Sequence, residues 1–153
     1  MKEKRLLILG PSFRRKNGDT NLSAFDRYDG LFYRIAKKYL SRAKDLQILV
    51  MTDDLILVKG STLLPYVAPK GTHWSEQIET SNVETAVQKN RIFLERILTK
   101  TQFREIFIAM GQKYAFALPE MTQYGAKVVF PSTGGLGPKA LALQRWLTSG
   151  QAN

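Results

Sequence analysis

Two short stretches hold the residues best suited to chemistry. In the first, an apolar run ends at Gly10-Pro11-Ser12 and is followed by Arg14, Arg15 and Lys16, then Asn17-Gly18-Asp19. Guanidinium groups can clamp a phosphate through two parallel hydrogen bonds. Lys16 can serve as a point charge, or as a nucleophile if desolvation lowers its pKa. Asp19 and Asp29 offer acceptors for a base edge or a ribose. The plainer alternative is a solvated loop turned at Asn17-Gly18.

The second stretch, KVVFPSTGGLGPK at 127–139, also runs from apolar residues into Pro-Ser. Gly134, Gly135 and Gly137 allow close backbone approach, and Ser132 and Thr133 carry hydroxyls. A helix starting at Pro138 would aim its free N–H groups and its dipole into the loop. These features suit an anion, and they equally suit a tight strand-to-helix turn. Neither the Walker A pattern nor G-x-G-x-x-G occurs.

Other candidates are scattered. Asp53-Asp54 follows an apolar run, and because adjacent residues point apart only one can face a site. Lys16, Asp19 and Asp53 are therefore the candidate catalytic groups. Ser12, Arg14, Arg15, Asp29, Gly30, Gly111, Lys113, Ser132, Thr133, Gly134, Gly135 and Gly137 are the candidate ligand-binding groups. Tyr114 can close a pocket or belong to the core. His73-Trp74 can stack on a base or anchor a loop. Phe25 and Tyr28 are candidate pocket walls, whereas Phe32 fits a core stripe.

Composition narrows the classes. The 153 residues include no Cys and a single His, which excludes disulfides and thiolate metal sites and disfavours a His-rich metal centre. No cofactor is expected. Net charge is +10, and residues 1–44 hold twelve Lys or Arg against four Asp or Glu. Such a field favours a polyanion or a phosphorylated ligand. The apolar part of MKEKRLLILG is too short for a signal peptide, and no stretch approaches a membrane span, so a soluble cytoplasmic protein without a membrane partner is expected.

The elements that must position these groups follow from periodicity. Apolar runs at 6–9, 46–51, 105–110 and 127–130 read as buried strands, and the brief run within DDLILVKG has no clear type. Helical spacing begins at Leu31, where Asp29 is a candidate cap. A second helix covers about 82–100 behind the capping box Ser81-x-x-Glu84. A short helix at 112–120 and one from Pro138 complete the series, with long loops at 13–29 and 60–82. Short apolar strands alternating with amphipathic helices predict one α/β domain: a three-layer, Rossmann-like sandwich with a mainly parallel sheet of four to five strands. Ligands bind outside the carboxyl ends of such strands, which would bring both Pro-Ser stretches to one rim.

The spacing of these loops resembles a group of small bacterial α/β domains related to YaaA-like peroxide-stress proteins and to archaeosine-synthase-like and uracil-DNA-glycosylase-like domains. The matching stretches are PSFRRK, YDGLFYR, MGQKY at 110–114 and PSTGGLGPKALALQRWL, which together span most of the chain. The archaeosine-synthase-like motif Pro-Cys-x-x-x-Lys keeps its spacing at Pro11-Ser12 and Lys16, but Ser12 replaces the Cys and the motif's later serines and His are absent. The resemblance therefore implies a base- or phosphate-binding role for Ser12 and Lys16, not a thiolate. The glycosylase-like His-Pro-Ser segment appears as Phe130-Pro131-Ser132, without the His. The expectation is a protein that binds and processes a nucleobase, nucleoside or nucleotide at the strand ends. The alternatives are a non-catalytic nucleic-acid-binding module or a Rossmann-like nucleotide sensor.

Overall fold

A computed structural model describes residues 4–18, 21–43, 45–69, 83–131 and 134–149. The elements in chain order are β1 (Lys4–Leu9), α1 (Ala24–Arg27), α2 (Leu31–Tyr39), β2 (Leu46–Met51), β3 (Leu57–Lys59), α3 (Val83–Lys100), β4 (Phe103–Ala109), α4 (Gln112–Ala115), β5 (Lys127–Val129) and α5 (Leu136–Thr148). The sheet order is β3-β2-β1-β4-β5. β1, β2, β4 and β5 run parallel, and only β3 is antiparallel, against β2. The expected three-layer α/β architecture is thus the observed one.

Why the central strand reads as unbroken apolar sequence is visible in its neighbours. Successive side chains alternate between faces, and both faces are covered. Leu6 and Ile8 enter a core with Ala86, Leu94 and Leu98 of α3. Leu7 and Leu9 enter a second core with Tyr33 and Ala36 of α2 and Leu143 and Leu147 of α5. All four β1 leucine and isoleucine side chains are fully buried.

Two polar side chains lock the layers. Asn90 on α3 is fully buried. Its Oδ1 accepts from the Leu57 N–H at 2.8 Å, and its Nδ2 donates to the carbonyls of Leu55 and Ala117 at 2.8 and 2.9 Å. Arg5, at the start of β1, donates to the carbonyls of Trp146 and Leu147 and lies over the Trp146 ring at 4.5 Å. It thereby serves the unpaired carbonyls at the C-terminus of α5.

The structure departs from the sequence reading in local details. The loop expected at 13–29 contains α1, four residues long, whose cap Ser23 Oγ accepts from the Asp26 N–H at 3.2 Å. One turn is too short to show a period. The uncertain run after Asp53-Asp54 is β3. α4 stops at Ala115 because Ala117 and Leu118 close tight turns onto Tyr114 and Ala115 while Asn90 takes the Ala117 carbonyl. α5 begins at Leu136, making Pro138 its third residue; its missing N–H falls in the first turn, where no intrahelical partner exists. Asp29 does not cap α2. The N-cap is Gly30, and the Asp29 carboxylate instead accepts from Arg34 at 3.1 Å, which lowers its pKa. The capping residue Ser81 lies outside the described residues. Among the described residues no helix is long and apolar enough to cross a membrane.

Candidate functional site

The chain leaves β1 toward β2 on one side and later returns to β4 on the other, so the topological switch point lies between β1 and β4. A crevice of about 460 Å³ opens there. Its walls come from residues 10–14 after β1, 30–33 at the start of α2, 109–111 and Tyr114 after β4, and 134–136 with Lys139 at the start of α5. Its size falls in the ordinary small-molecule range of about 300–1,000 Å³.

The glycines have specific steric reasons. A Cβ on Gly10 would sit 2.5 Å from Met110 Cβ, so the ends of β1 and β4 close together only because Gly10 has no side chain. A Cβ on Gly30 would sit 2.5 Å from Ser12 Oγ. That hydroxyl donates to the Arg14 carbonyl at 2.7 Å and stays at the crevice wall. Tyr33 donates its hydroxyl to the Gly10 carbonyl at 2.6 Å, tying α2 to the end of β1.

The lining is mainly apolar and aromatic, from Phe13 at the edge together with Phe32, Tyr33, Met110 and Tyr114. Charge sits on Arg14 and Lys139. The N-caps of α2 and α5 are Gly30 and Gly135, both in the crevice wall, and among the described residues neither helix start has a side-chain cap. Helix starts of this kind turn N–H groups and a positive dipole end toward an acceptor. No carboxylate among the described residues lines the crevice, and these residues hold no cluster of three metal-ligating side chains.

The expected residues divide accordingly. Ser12, Arg14, Gly30, Gly111, Gly134 and Gly135 come together in the crevice wall, whereas Lys16, Asp29, Asp53, Lys113 and Gly137 are not part of it. Lys16 is exposed, and its backbone N–H and carbonyl are both bonded to Arg27. An exposed amine lacks the desolvation that a lysine nucleophile needs. Asp19, Ser132 and Thr133 lie outside the described residues.

Arg15 is not a free phosphate clamp. Its guanidinium grips Asp53 with both terminal nitrogens, and it also donates to the carbonyls of Ser12, Phe13 and Val67. Its side chain is 3% exposed and stacks over Tyr28 at 5.1 Å. Asp53 is correspondingly the anchor of the Arg15 loop, set in a separate cavity of about 160 Å³ with Arg27, Tyr28, Thr52 and Leu64. Phe25 lies in neither cavity, and Tyr28 lies in this smaller one.

Three phenols, Tyr33 and Tyr114 in the crevice lining and Tyr28 in the smaller cavity, share one electrostatic setting. Tyr28, Tyr33 and Tyr114 all have raised pKa values, mainly because burial disfavours the phenolate and further because of the Asp53 charge, partly offset by Arg15. Each phenol holds its proton more tightly when folded than when unfolded, where it titrates near 10. The resulting stability is complete below pH 10 and is lost as pH rises through the higher folded values. Urea unfolding is therefore expected to show stability falling as pH rises from 9 to 11. A flat profile over that range would contradict the burial of these hydroxyls.

Sequence reasoning missed Phe13, Tyr33, Met110, Leu136 and Lys139 as crevice residues. Lys139 stood at the end of the glycine stretch and was the one with a readable signal. Comparison with family models, with curated proteins and with solved structures found no match for this chain.

Proposed function

We propose that the crevice binds a nucleotide, with the base between the aromatic walls and the phosphate at the α5 start beside Lys139 and Arg14. The observation that carries this reading is the composition of the crevice itself: an aromatic, apolar lining at the switch point with two cations, Arg14 and Lys139, in its wall and no carboxylate among the described residues. A planar heterocycle gains from the first and an anionic tail from the second. Processing of the ligand, by base modification or glycosidic-bond chemistry, falls to the Ser12 and Tyr114 hydroxyls and the Lys139 amine, since Asp53 and Lys16 stand outside the crevice.

Thermal shift and calorimetry with nucleobases, nucleosides and nucleoside monophosphates test it. Stabilisation is expected to rise along that series. Lys139→Ala is expected to weaken the monophosphate about tenfold or more, in line with the loss of one charge-assisted hydrogen bond, and to leave nucleosides nearly unchanged. Lys16→Ala is expected to change neither. No binding by any member, or equal losses in the two variants, would remove the reading. Chromatography of the incubated ligand then separates an enzyme from a sensor.

A further inference from the structure

The two helical layers differ in sign. α2 and α5 pack against each other over one face of the sheet. Residues 30–43 and 134–149 carry Arg34, Lys37, Lys38, Arg42, Lys139 and Arg145 and no carboxylate. On the opposite face, α3 mixes Glu84 and Glu95 with its four cations. The cationic excess of the chain is therefore concentrated on one side.

Its arrangement is also directional. Arg34 and Lys38 are exposed and one turn apart on α2, so they form a row with about 6 Å of rise between them, and exposed Arg42 follows beyond it in the 3-10 turn Leu40–Arg42. Leu31 and Leu136, at the starts of α2 and α5, both line the crevice. The row thus begins next to the crevice and leads away from it along the helices. Arg34 is bonded to Asp29 in a pair whose guanidinium is half exposed, and exposed pairs of this kind yield readily to a competing anion. Phe13, Leu31 and Leu136 are themselves exposed at the crevice edge, at 36%, 41% and 55%. They offer apolar surface beside the opening.

We infer that the base reaches the crevice as part of a single-stranded nucleic acid whose backbone lies along the α2/α5 layer. Seating of the base rests on the nucleotide reading above, while docking of the backbone rests on the charge asymmetry alone. A row of cations with a single, partly exposed carboxylate, Asp29, at its head suits a regular series of phosphates. A base enters an aromatic crevice only after leaving its stack and its pair, which costs least in a strand that is already unpaired. Bases next to the seated one meet Phe13 and the two leucines, where stacking is tolerant of sequence.

Fluorescence anisotropy with a short labelled strand, its duplex and an abasic strand of equal length tests the inference. The base-bearing strand is expected to bind more tightly than the duplex, and about fivefold or more better than the abasic strand, as loss of one stacked base implies. Combined Arg34→Gln, Lys38→Gln and Arg42→Gln changes are expected to reduce affinity about tenfold or more and to lower the slope of log affinity against log salt by about 2. Mononucleotide binding is expected to survive them. The matched set Lys89→Gln, Arg91→Gln and Arg96→Gln on α3 removes the same charge and is expected to change affinity less than about twofold if location rather than net charge decides. Equal losses from the two sets, equal binding of abasic and base-bearing strands, or preferential binding to vesicles of anionic phospholipid would each overturn it. Mononucleotide binding without strand binding overturns this inference alone. Strand binding that depends on the α2 row and ignores the bases, with no mononucleotide binding, overturns the nucleotide reading and the seated base together.

Discussion

Replacing Asn90 with leucine is expected to leave a protein close to unfolding. The two side chains have the same number and branching of heavy atoms and leucine is the bulkier, so the change removes hydrogen bonds without opening a cavity. Three backbone groups lose their partner: the Leu57 N–H and the carbonyls of Leu55 and Ala117. Leucine offers neither donor nor acceptor, and each orphaned buried group costs about 1–3 kcal/mol. A total of about 3–9 kcal/mol is large against the usual 5–15 kcal/mol of a whole domain. Leu55 adds to this, because it holds a left-handed conformation at φ 67° within the segment that Asn90 fastens. The melting temperature is expected to fall by about 10 °C or more. A fall of only a few degrees would mean that the three groups find other partners.

Arg15→Ala carries the second large effect, and it acts on binding as well as stability. The guanidinium is buried against Asp53, so its removal leaves a carboxylate without its cation beside the tyrosine cluster. Breaking one side of such a pair costs about 3 kcal/mol or more when the remaining charge stays buried; Asp53 is 29% exposed, which places the expected loss at or below about 3 kcal/mol. The bond from Arg15 to the Ser12 carbonyl also disappears. Ser12, Phe13 and Arg14 form one crevice wall, so nucleotide affinity is expected to fall even though Arg15 touches no ligand. Arg15→Lys keeps the charge but not the fork, and an intermediate loss is expected. Calorimetric affinity unchanged in Arg15→Ala would show that the wall holds its position by other means.

These two residues also show what a sequence can and cannot disclose. β1, β2 and α3 were legible because burial on both faces, or along a long stripe, writes a period into many consecutive residues. That the segment after β1 and the glycines before α5 share a rim was legible too, since a parallel sheet brings all its strand ends to one side. Arg15 was not. Three adjacent cations look interchangeable in sequence, and only the fold separates Arg14 at the crevice, Arg15 on Asp53 and Lys16 in solvent. The partner that decides the matter is 38 residues away. Phe32 packs against the core as its place in the stripe predicts, and it also lines the crevice, because the first turn of α2 lies at the strand ends. Asn90 gave no signal at all, as one polar residue in a helical pattern is ordinary.

The strand lengths carry a last consequence, for how copies of the chain meet. The outermost strands, β3 and β5, are three residues each, against six or seven for the three strands between them. Each outer strand also bears an exposed lysine, Lys59 or Lys127. A short, charged border offers few unpaired backbone groups to an incoming strand and repels a second copy of itself. Growth of the sheet from molecule to molecule is thereby discouraged, and contacts between copies are left to the helices.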